Sequence, residues 1–458
     1  MPAIVVLLIV VYQARQGLAV LVARFVDPAF AMAALLIIVA VGALRIAAVA
    51  HAYVTTGRDS DRSAKARRNG RAVLAVLIAV IVATHGVGGA VAYMDYSTFT
   101  QVFVQDNPAP PESPDPGETP PPDVFEAGSP PPASFEPTPT PKALPDRMTI
   151  LLTGVDSYVG RGERLYDSIM VISLDTRTNQ VAMVSVPRDS AAYPLYFGGT
   201  VGPATRINAL VSYVQHGWIK SPDDAMTTFV REIGYLVGIP IDYYAAMDLA
   251  SFMKMIDLVG GIDINNPSDI NDPSYDWLNG KNLGFYLSAG PHHLDGIHAL
   301  AYVRSRHGYN NSDYRRESRQ QEVMVALGHK MANPSMLAQL PTLMQTLGSA
   351  VRTNFPAGKV ADMVALAGGI PSSNITQVVL QPPDYGDTGI GWAYGVATSC
   401  LRLDKIAALS VQLFADDSRY SGLKQADTCP APAPAPVATP KPTTAAPPPT
   451  VAPGTAVP

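Results

Sequence analysis

Long apolar runs separated by polar segments dominate the first hundred residues of the chain. Residues 28–50 and 72–94 are each apolar and long enough to cross a bilayer, whose hydrocarbon core is about 30 Å thick. Residues 3–26 form a weaker run, which fits either a marginal membrane span or an amphipathic helix at the membrane surface. We predict that residues 1–96 are a membrane anchor with two or three transmembrane helices, and we favour three.

The charges between the second and third apolar runs predict the orientation of this anchor. Basic side chains outnumber acidic ones there: Arg58, Arg62, Lys65, Arg67, Arg68 and Arg71 against Asp59 and Asp61. Segments rich in Lys and Arg stay on the cytoplasmic side of a membrane, so the last span leads outwards. The protein is therefore predicted to be a multi-pass membrane protein whose chain after Tyr96 is extracytoplasmic.

Two proline-rich segments divide the rest of the chain. Residues 97–145 are acidic and proline-rich, which predicts an extended extracellular linker that buries no core. Residues 430–458 are rich in Pro, Ala and Thr, which predicts a disordered tail. Residues 146–429 between them have an ordinary composition and are numerous enough for one large domain.

Strand and helix patterns alternate through this region, which predicts an α/β domain. Apolar runs at 149–153, 169–175 and 180–186 predict buried strands, and the turn chemistry of residues 175–179 joins the last two in a hairpin. The helix predicted after Asp248 turns Phe252 and Met255 inward. Such apolar faces fit a core or a groove for a lipid chain, and periodicity does not distinguish the two.

Four charged residues fall at the ends of these strands or just beyond them: Asp156, Asp167, Arg188 and Asp189. Strands joined by a short loop usually pair antiparallel, which places Asp156, after the first strand, beside Asp167, before the second. Two carboxylates near arginines fit Mg²⁺, or alternatively Mn²⁺, together with phosphate oxygens. The simpler alternative is that each aspartate caps a strand or a turn.

The stretch from Ala299 to Met324 is unusually rich in arginine and contains no lysine. Its arginines are Arg304, Arg306, Arg315, Arg316 and Arg319. A helix is predicted from about residue 312, on which Arg316 is three residues from Arg319 and four from Gln320. Planar guanidinium groups at a helix start suit an oxyanion. A solvated basic face paired with nearby carboxylates is the alternative.

Net charge and cysteine content narrow the possible functions. A formal charge of −5 argues against a protein that binds nucleic acid. If the domain is extracytoplasmic, Cys400 and Cys429, the two cysteines of the chain, are candidates for a disulfide. No arrangement of serine, cysteine and histidine indicates a hydrolase triad.

Three blocks of sequence together resemble the LytR-CpsA-Psr family. They are ILLTGVDS with the later YDS at 166–168, then VAMVSVPRDS, then LDGIHALAYVRSRH with DYRRESRQQEV. The phrases RINAL, VGIPIDYYAAMD and DLVGGIDINNP lie between them in the family's order. Each phrase is weak alone, but their order and spacing over about residues 148–333 make the set specific.

The resemblance implies an enzyme that transfers a glycopolymer from a polyprenyl-pyrophosphate carrier to peptidoglycan by phosphoryl transfer. It implies an α-β-α sandwich with a central mixed sheet, a hydrophobic pocket for the polyprenyl tail, and Mg²⁺. Asp156 and Asp167 become the metal-associated carboxylates. The implied pyrophosphate ligands are Arg188, Arg304, Arg306, Arg316 and Gln320, with Arg319 and Asp313 in support. Asp156, Asp167, Arg188, Arg304 and Arg316 form the implied catalytic set.

Two other functions stay open. One is a hydrolase that cleaves the same polyprenyl pyrophosphate, and the other is a non-catalytic membrane anchor that binds polyprenyl-linked wall polymers. A pure binder needs the arginines but not a metal site, so the aspartate pair separates it from the two enzymes.

The chain departs from the family's pattern at three positions. The family often has an arginine two residues before the second aspartate, where this chain has Leu165 preceded by Arg164. The glycine that usually precedes the helix arginine is Arg315 here, and the usual lysine of the phrase KINA is Arg206. The first departure affects one expected phosphate contact.

Overall fold

The computed structural model describes residues 26–56, 64–103, 146–156, 165–277, 284–308, 311–331, 333–347, 351–393 and 396–419, together with Cys429. The first predicted membrane run, most of the predicted linker and the predicted tail lie outside the described residues. The helices are α1 (Pro28–Thr56), α2 (Ala64–Val102), α3 (Leu210–Gln215), α4 (Ala225–Val237), α5 (Leu249–Leu258), α6 (Gly296–Arg304), α7 (Asp313–Met331), α8 (Pro334–Leu347), α9 (Val360–Gly368) and α10 (Leu403–Phe414). The strands are β1 (Arg147–Asp156), β2 (Leu165–Asp175), β3 (Gln180–Ser185), β4 (Tyr243–Asp248), β5 (Ile262–Asn266), β6 (Ile270–Asp272), β7 (Phe285–Leu287), β8 (Gly290–Leu294), β9 (Val351–Thr353), β10 (Ile375–Val379), β11 (Gly386–Ala393) and β12 (Val396–Leu401).

Two long apolar helices, α1 and α2, pack against each other at the start of the described chain. Each contains a stretch long and apolar enough to cross a membrane, Pro28–Thr55 and Asn69–Thr100. Both helices run beyond the predicted spans, and the first turns of α2 include part of the basic segment. The prediction that the linker begins at residue 97 is wrong, because α2 continues to Val102, where its last turns pack on the α/β domain.

A six-stranded mixed sheet, in the order β10-β3-β2-β1-β4-β9, forms the centre of the domain. β2 pairs antiparallel with β1 and with β3, which confirms the predicted pairing and hairpin. β4 runs parallel to β1, and β9 lies antiparallel to β4 at the edge. The first two strands are longer than predicted. Asp156 therefore ends β1, and Asp167 lies inside β2 rather than before it.

Helices cover both faces of this sheet, which confirms the predicted α-β-α sandwich. Successive side chains of a strand point to opposite faces, so Val171 joins the core under α3, α4 and α10, while its neighbour Met170 joins the core under α7 and α9. A further core lies between α5, α6, α7 and the small sheets formed by β5 with β8 and β6 with β7. This part of the domain supports the ends of α6 and α7 near the sheet.

The C-terminal hairpin of β11 and β12 packs on the loop that follows β3. The backbone N–H of Ala191 donates to the Ser399 carbonyl at 2.7 Å, and the Ser399 N–H donates to the Asp189 carbonyl at 3.0 Å. A disulfide joins Cys400 to Cys429, the pair that the sequence offered. The hairpin thereby supports the loop that carries Arg188.

Candidate functional site

A cavity of about 440 Å³ crosses one end of the central sheet. Its walls come from strands β1, β2, β4 and β9 and helices α5, α6 and α7. Charged side chains line one part of it, and aliphatic, aromatic and methionine side chains line the remainder. The cavity is therefore amphipathic, with a place for a charged group and a place for an apolar chain.

The charged end holds most of the predicted site residues: Asp156, Asp167, Arg188, Arg304, Arg306, Arg316 and Gln320. They are up to 164 positions apart in the chain (from 156 to 320), and the order of strands in the sheet brings them together. Two predicted members, Asp313 and Arg319, do not line the cavity. Asp313 contacts arginines at the start of α7, and Arg319 donates to carbonyl oxygens at the end of α6.

Asp167 links the sheet to the arginines. Its Oδ2 lies 2.8 Å from Nη1 of Arg188, and its Oδ1 accepts a hydrogen bond from Nδ2 of Asn208 at 3.0 Å. Burial opposes the charge on Asp167, but the Arg188 guanidinium and the Asn208 amide outweigh it and hold the pKa of Asp167 below its usual value. The carboxylate is ionised at neutral pH.

Three arginines converge on one carboxylate oxygen at the start of α7. Oδ1 of Asp313 lies 2.7 Å from Nη1 of Arg316. The same oxygen lies 3.5 Å from Nη1 of Arg306 and 3.7 Å from Nη2 of Arg188. Asp167 pairs with Arg188 as well, but this end of the cavity has four guanidinium groups, those of Arg188, Arg304, Arg306 and Arg316, against the three carboxylates of Asp156, Asp167 and Asp313. This end of the cavity therefore keeps a positive charge that favours an anion.

Arg316 is buried, yet only part of its guanidinium is hydrogen-bonded. Its side chain is 5% exposed and Nη1 donates to Asp313, whereas Nε and Nη2 have no hydrogen-bond partner among the residues that the structure describes. Oε1 of Glu317 is 3.8 Å from Nη2, beyond hydrogen-bond distance. Buried N–H groups without acceptors cost free energy, and two oxygens of one phosphate would satisfy both in a bidentate contact.

Arg319 belongs to a different contact network. Its Nε donates to the Tyr302 carbonyl at 2.7 Å, and its Nη2 donates to the Ser305 carbonyl and to Oδ1 of Asn311. Arg319, expected in support of the pyrophosphate ligands, does not line the cavity, because carbonyl oxygens at the end of α6 accept its donors. Arg319 supports the connection that carries the cavity arginines of α6.

Gln320 connects two walls of the cavity. Its Oε1 accepts a hydrogen bond from Oγ of Ser168 on β2 at 2.9 Å, and its Nε2 donates to the Val303 carbonyl on α6 at 3.3 Å. Arg304, the last residue of α6, is hydrogen-bonded to the Tyr275 side chain. These contacts fix the directions in which the polar groups at this end point.

The apolar end of the cavity shows whether the apolar helix faces form a core or a groove, which periodicity did not distinguish. Phe252 and Met255 of α5 line the cavity, whereas Ile256 of the same helix is fully buried in the core. On α7, Val323 and Leu327 do both, since they line the cavity and belong to that core. The apolar faces of these helices therefore form a core and a groove at once.

Three residues near the site were missing from the predicted set: Ser168, Asn208 and Glu317. Ser168 and Asn208 hold Gln320 and Asp167, and both stand in phrases that carry the family resemblance. Glu317 is only 4% exposed, and burial raises its pKa to about 8 although Arg316 opposes the shift. In the sequence it is one acid among arginines, and nothing there distinguishes it from a surface charge.

Asp156 and Asp167 fit a hard divalent cation. They lie on neighbouring strands at the charged end of one cavity. Mg²⁺ in proteins takes one or two carboxylates and completes its shell with water and phosphate oxygens, so a pair of aspartates is enough. Among the described residues, the one cluster of three metal-ligand side chains is Asp387, Cys400 and Cys429, and its two sulfurs form the disulfide.

The family of this chain is identified by its match to a protein-family model. The model of the LytR_cpsA_psr family matches residues 133–405, more than half of the chain. The chain belongs to the LytR-CpsA-Psr family. The resemblance found in the sequence is confirmed, and the match extends beyond residues 148–333 at both ends.

Known relatives of this LytR-CpsA-Psr protein include two named transferases from Bacillus. The chain is 30% identical over 237 residues to the polyisoprenyl-teichoic acid–peptidoglycan teichoic acid transferase TagV of Bacillus subtilis (strain 168), a match covering 52% of this chain and 57% of TagV. It is 30% identical over 216 residues to the correspondingly named TagU of Bacillus mycoides (strain KBAB4), covering 47% and 63%. The match therefore spans less than two thirds of either relative.

Solved structures of similar proteins include the crystal structure of B. subtilis TagV and TagT bound to LIIa-WTA. The TagV structure has a TM-score of 0.46 and 24% identity, and covers 58% of this chain and 96% of that chain. The TagT structure has a TM-score of 0.45 and 21% identity, and covers 64% and 96%.

The positions at which this family member departs from the pattern lie outside the cavity wall. Nη1 of Arg206 donates to Oδ1 of Asp189 at 2.9 Å, so it braces the residue that follows Arg188. Leu165 pairs with Asp156 in the sheet, and the neighbouring Arg164 lies outside the described residues. Arg315 is exposed on α7, where its Nη1 reaches only Oγ of Ser268 at 3.4 Å.

Proposed function

We propose that this protein transfers a glycopolymer from a polyprenyl-pyrophosphate carrier to peptidoglycan, on the outer face of the membrane. The observation that carries the proposal is the amphipathic cavity, in which a group of arginines adjoins an apolar groove. A lipid pyrophosphate has the same two parts, a doubly charged anion and a long apolar chain. Membership of a family whose named members transfer teichoic acid to peptidoglycan supports the same reaction.

The arginines act on the pyrophosphate. Arg316 offers Nε and Nη2 as a fork for one phosphate, and Arg188, Arg304 and Arg306 surround it from the loop after β3 and the end of α6. Phosphoryl transfer needs positioned reactants and stabilised charge more than covalent help from the protein. Fixed guanidinium groups in a cavity meet both requirements.

The reaction exchanges one P–O bond for another. A sugar hydroxyl of the acceptor attacks the phosphorus nearer the glycopolymer and forms the new P–O bond. The bond from that phosphorus to the bridging oxygen breaks, and polyprenyl phosphate leaves with its electron pair. Asp156 and Asp189 are the candidates for the base that accepts the hydroxyl proton. Asp156 lines the cavity, whereas Asp189 is paired with Arg206 outside it.

Asp156 and Asp167 would hold Mg²⁺ at the charged end, with Mn²⁺ as a substitute. When bound there, the ion would add positive charge next to the pyrophosphate oxygens. Asp167 would keep its contact with Arg188 at the same time, since a carboxylate has more than one lone pair on each oxygen.

A transfer assay tests the proposal. Full-length protein in lipid nanodiscs is incubated with a polyprenyl-pyrophosphate-linked glycopolymer and peptidoglycan fragments, with Mg²⁺ present. We expect polymer-bearing peptidoglycan and free polyprenyl phosphate in equal amounts. Polyprenyl phosphate with free polymer phosphate would identify a hydrolase, and carrier that binds but remains intact would identify a non-catalytic anchor.

Localisation can be checked by cysteine labelling, because the native cysteines form a disulfide and do not react. Tyr286→Cys, on an exposed residue of the domain, is expected to react with a membrane-impermeant maleimide in intact cells. Arg71→Cys, at the end of the basic segment that precedes the predicted span of residues 72–94, should react only after permeabilisation. Labelling of residue 71 in intact cells would contradict the proposed multi-pass topology with an extracytoplasmic domain.

A further inference from the structure

The outer end of α2 is packed on the α/β domain. Its residues Phe99 and Val102 are fully buried in a cluster with Leu343 and Leu347 of α8 and with Val351 of β9. Beyond the helix, Phe103 forms a parallel bridge with Thr353 of β9. The second described apolar helix is therefore joined to the edge of the central sheet and does more than tether the domain.

A buried carboxylate marks where this helix passes from the membrane to the domain. The Asp95 side chain accepts a hydrogen bond from Nε2 of Gln345 on α8, and Asp95 is 4% exposed. On the preceding turns apolar residues are largely exposed, among them Val80, Val87 and Val91. Residues 72–94 span about 34 Å as a helix, enough for a hydrocarbon core of about 30 Å. The bilayer surface then lies close to Asp95.

The cavity runs across the sheet towards the same edge. Ser168 pairs with Gly154, Gly154 with Met247, and Met247 with Val351, and all four residues line the cavity. This row crosses β2, β1, β4 and β9, which is about 14 Å at the usual strand spacing. It leads from the strand that carries Asp167 to the edge strand beside α2.

Three residues belong both to the cavity and to this cluster. Met247, Met255 and Val351 line the cavity, and all three also pack in the cluster that contains Phe99 and Val102. A cavity of about 440 Å³ has the size of a site for a drug-sized ligand, so it encloses only part of a long polyprenyl chain. The remainder must continue past the apolar end, where water would otherwise meet it.

We propose that the polyprenyl chain leaves the cavity at the β9 edge and enters the bilayer along the outer end of α2. In this arrangement α2 is one wall of the passage through which the carrier moves from the membrane into the site. The inference rests on the proposed function, since it takes a polyprenyl-linked carrier as the ligand. It adds a second role for the membrane helix, beyond anchoring.

The test compares two substrates in full-length protein in nanodiscs. One is the long-chain carrier embedded in the bilayer, and the other is a water-soluble analogue with a short prenyl chain. Phe99→Ala is expected to lower kcat/KM for the long-chain carrier about tenfold and to leave the short-chain analogue nearly unaffected. Val87→Ala, on an exposed position of the same helix, is the matched control and should change neither.

The outcomes separate this inference from the proposed function. An equal loss with both substrates would mean that Phe99 only stabilises the domain, and no loss with either would mean that the chain takes another route. Either result would overturn the proposal that the polyprenyl chain passes along α2. A wild-type protein that fails to transfer even the short-chain analogue would overturn the proposed function instead.

A second measurement does not depend on any variant. A polyprenyl phosphate with a photoreactive group near the end of its chain is bound to the wild-type protein in nanodiscs, irradiated and mapped by mass spectrometry. Cross-links are expected on the outer turns of α2 and on α8. Cross-links confined to α4 and α10, on the opposite face of the sheet, would overturn the route.

Discussion

Arg316→Ala is expected to lower the turnover of glycopolymer transfer by about 10²–10³-fold while the domain remains folded. The Arg316 fork is buried at the charged end of the cavity, and two of its N–H groups have no hydrogen-bond partner among the described residues. Charge on the pyrophosphate oxygens grows as polyprenyl phosphate leaves, so the guanidinium stabilises the transition state more than the bound carrier. Arg304→Ala, at the end of α6, is expected to act in the same direction.

The neighbouring residue supplies a matched control. Arg315 lies on the same helix and carries the same charge, but it is exposed and does not line the cavity. Arg315→Ala should therefore keep transfer within about twofold of the wild type, since removing an exposed charge changes little. Single-turnover rates of Arg316→Ala, Arg304→Ala and Arg315→Ala measure transfer, and circular dichroism checks that each variant is folded. Equal losses in Arg315→Ala and Arg316→Ala would show a general effect of helix charge instead of a phosphate site.

The strands and helices that the sequence predicted well are those with local signals. The hairpin of β2 and β3 has a turn sequence at residues 175–179 and an apolar run on each side. α5 begins directly after its cap Asp248, and α7 begins at Asp313, where the prediction placed them. In these segments periodicity and turn chemistry act within a few residues, so a single sequence is enough to predict the strands and helices.

The features that escaped prediction depend on contacts between distant residues. The three residues of β9 form a strand only because β4 and Phe103 flank them. The last turns of α2 look like the start of a linker until α8 is packed against them. Which of Arg316 and Arg319 lines the cavity was equally hidden, because the backbone carbonyls that accept hydrogen bonds from Arg319 come from α6.

Asp156→Asn is expected to lower transfer about 10²–10³-fold and to leave binding of the carrier within about twofold. Asp156 ends β1 at the charged end of the cavity, next to the strand that carries Asp167. In the proposed reaction the arginines would hold the carrier in its ground state, whereas a divalent ion on these carboxylates would act mainly on charge that develops in transfer. The variant should therefore lose transfer while its binding of the carrier stays nearly unchanged.

Asp167→Asn is expected to show the same loss of turnover with a different effect on binding. The Asp167 carboxylate forms an ion pair with Arg188, so the amide would free that guanidinium for the pyrophosphate. Binding of the carrier should then hold or tighten while transfer falls. Asp263→Asn, at an exposed carboxylate paired with the surface residue His293 away from the cavity, serves as the control.

The metal itself is tested without relying on turnover. Mn²⁺ binding to the full-length protein, followed by electron paramagnetic resonance, is expected to weaken in Asp156→Asn and Asp167→Asn and to be unchanged in Asp263→Asn. EDTA should stop transfer by the wild type, and Mg²⁺ or Mn²⁺ should restore it. Undiminished transfer in EDTA would remove the metal from the proposal, and wild-type transfer by the two aspartate variants would remove both carboxylates. The arginine site would survive either result, because its geometry depends on Asp313 and on the end of α6 rather than on an ion.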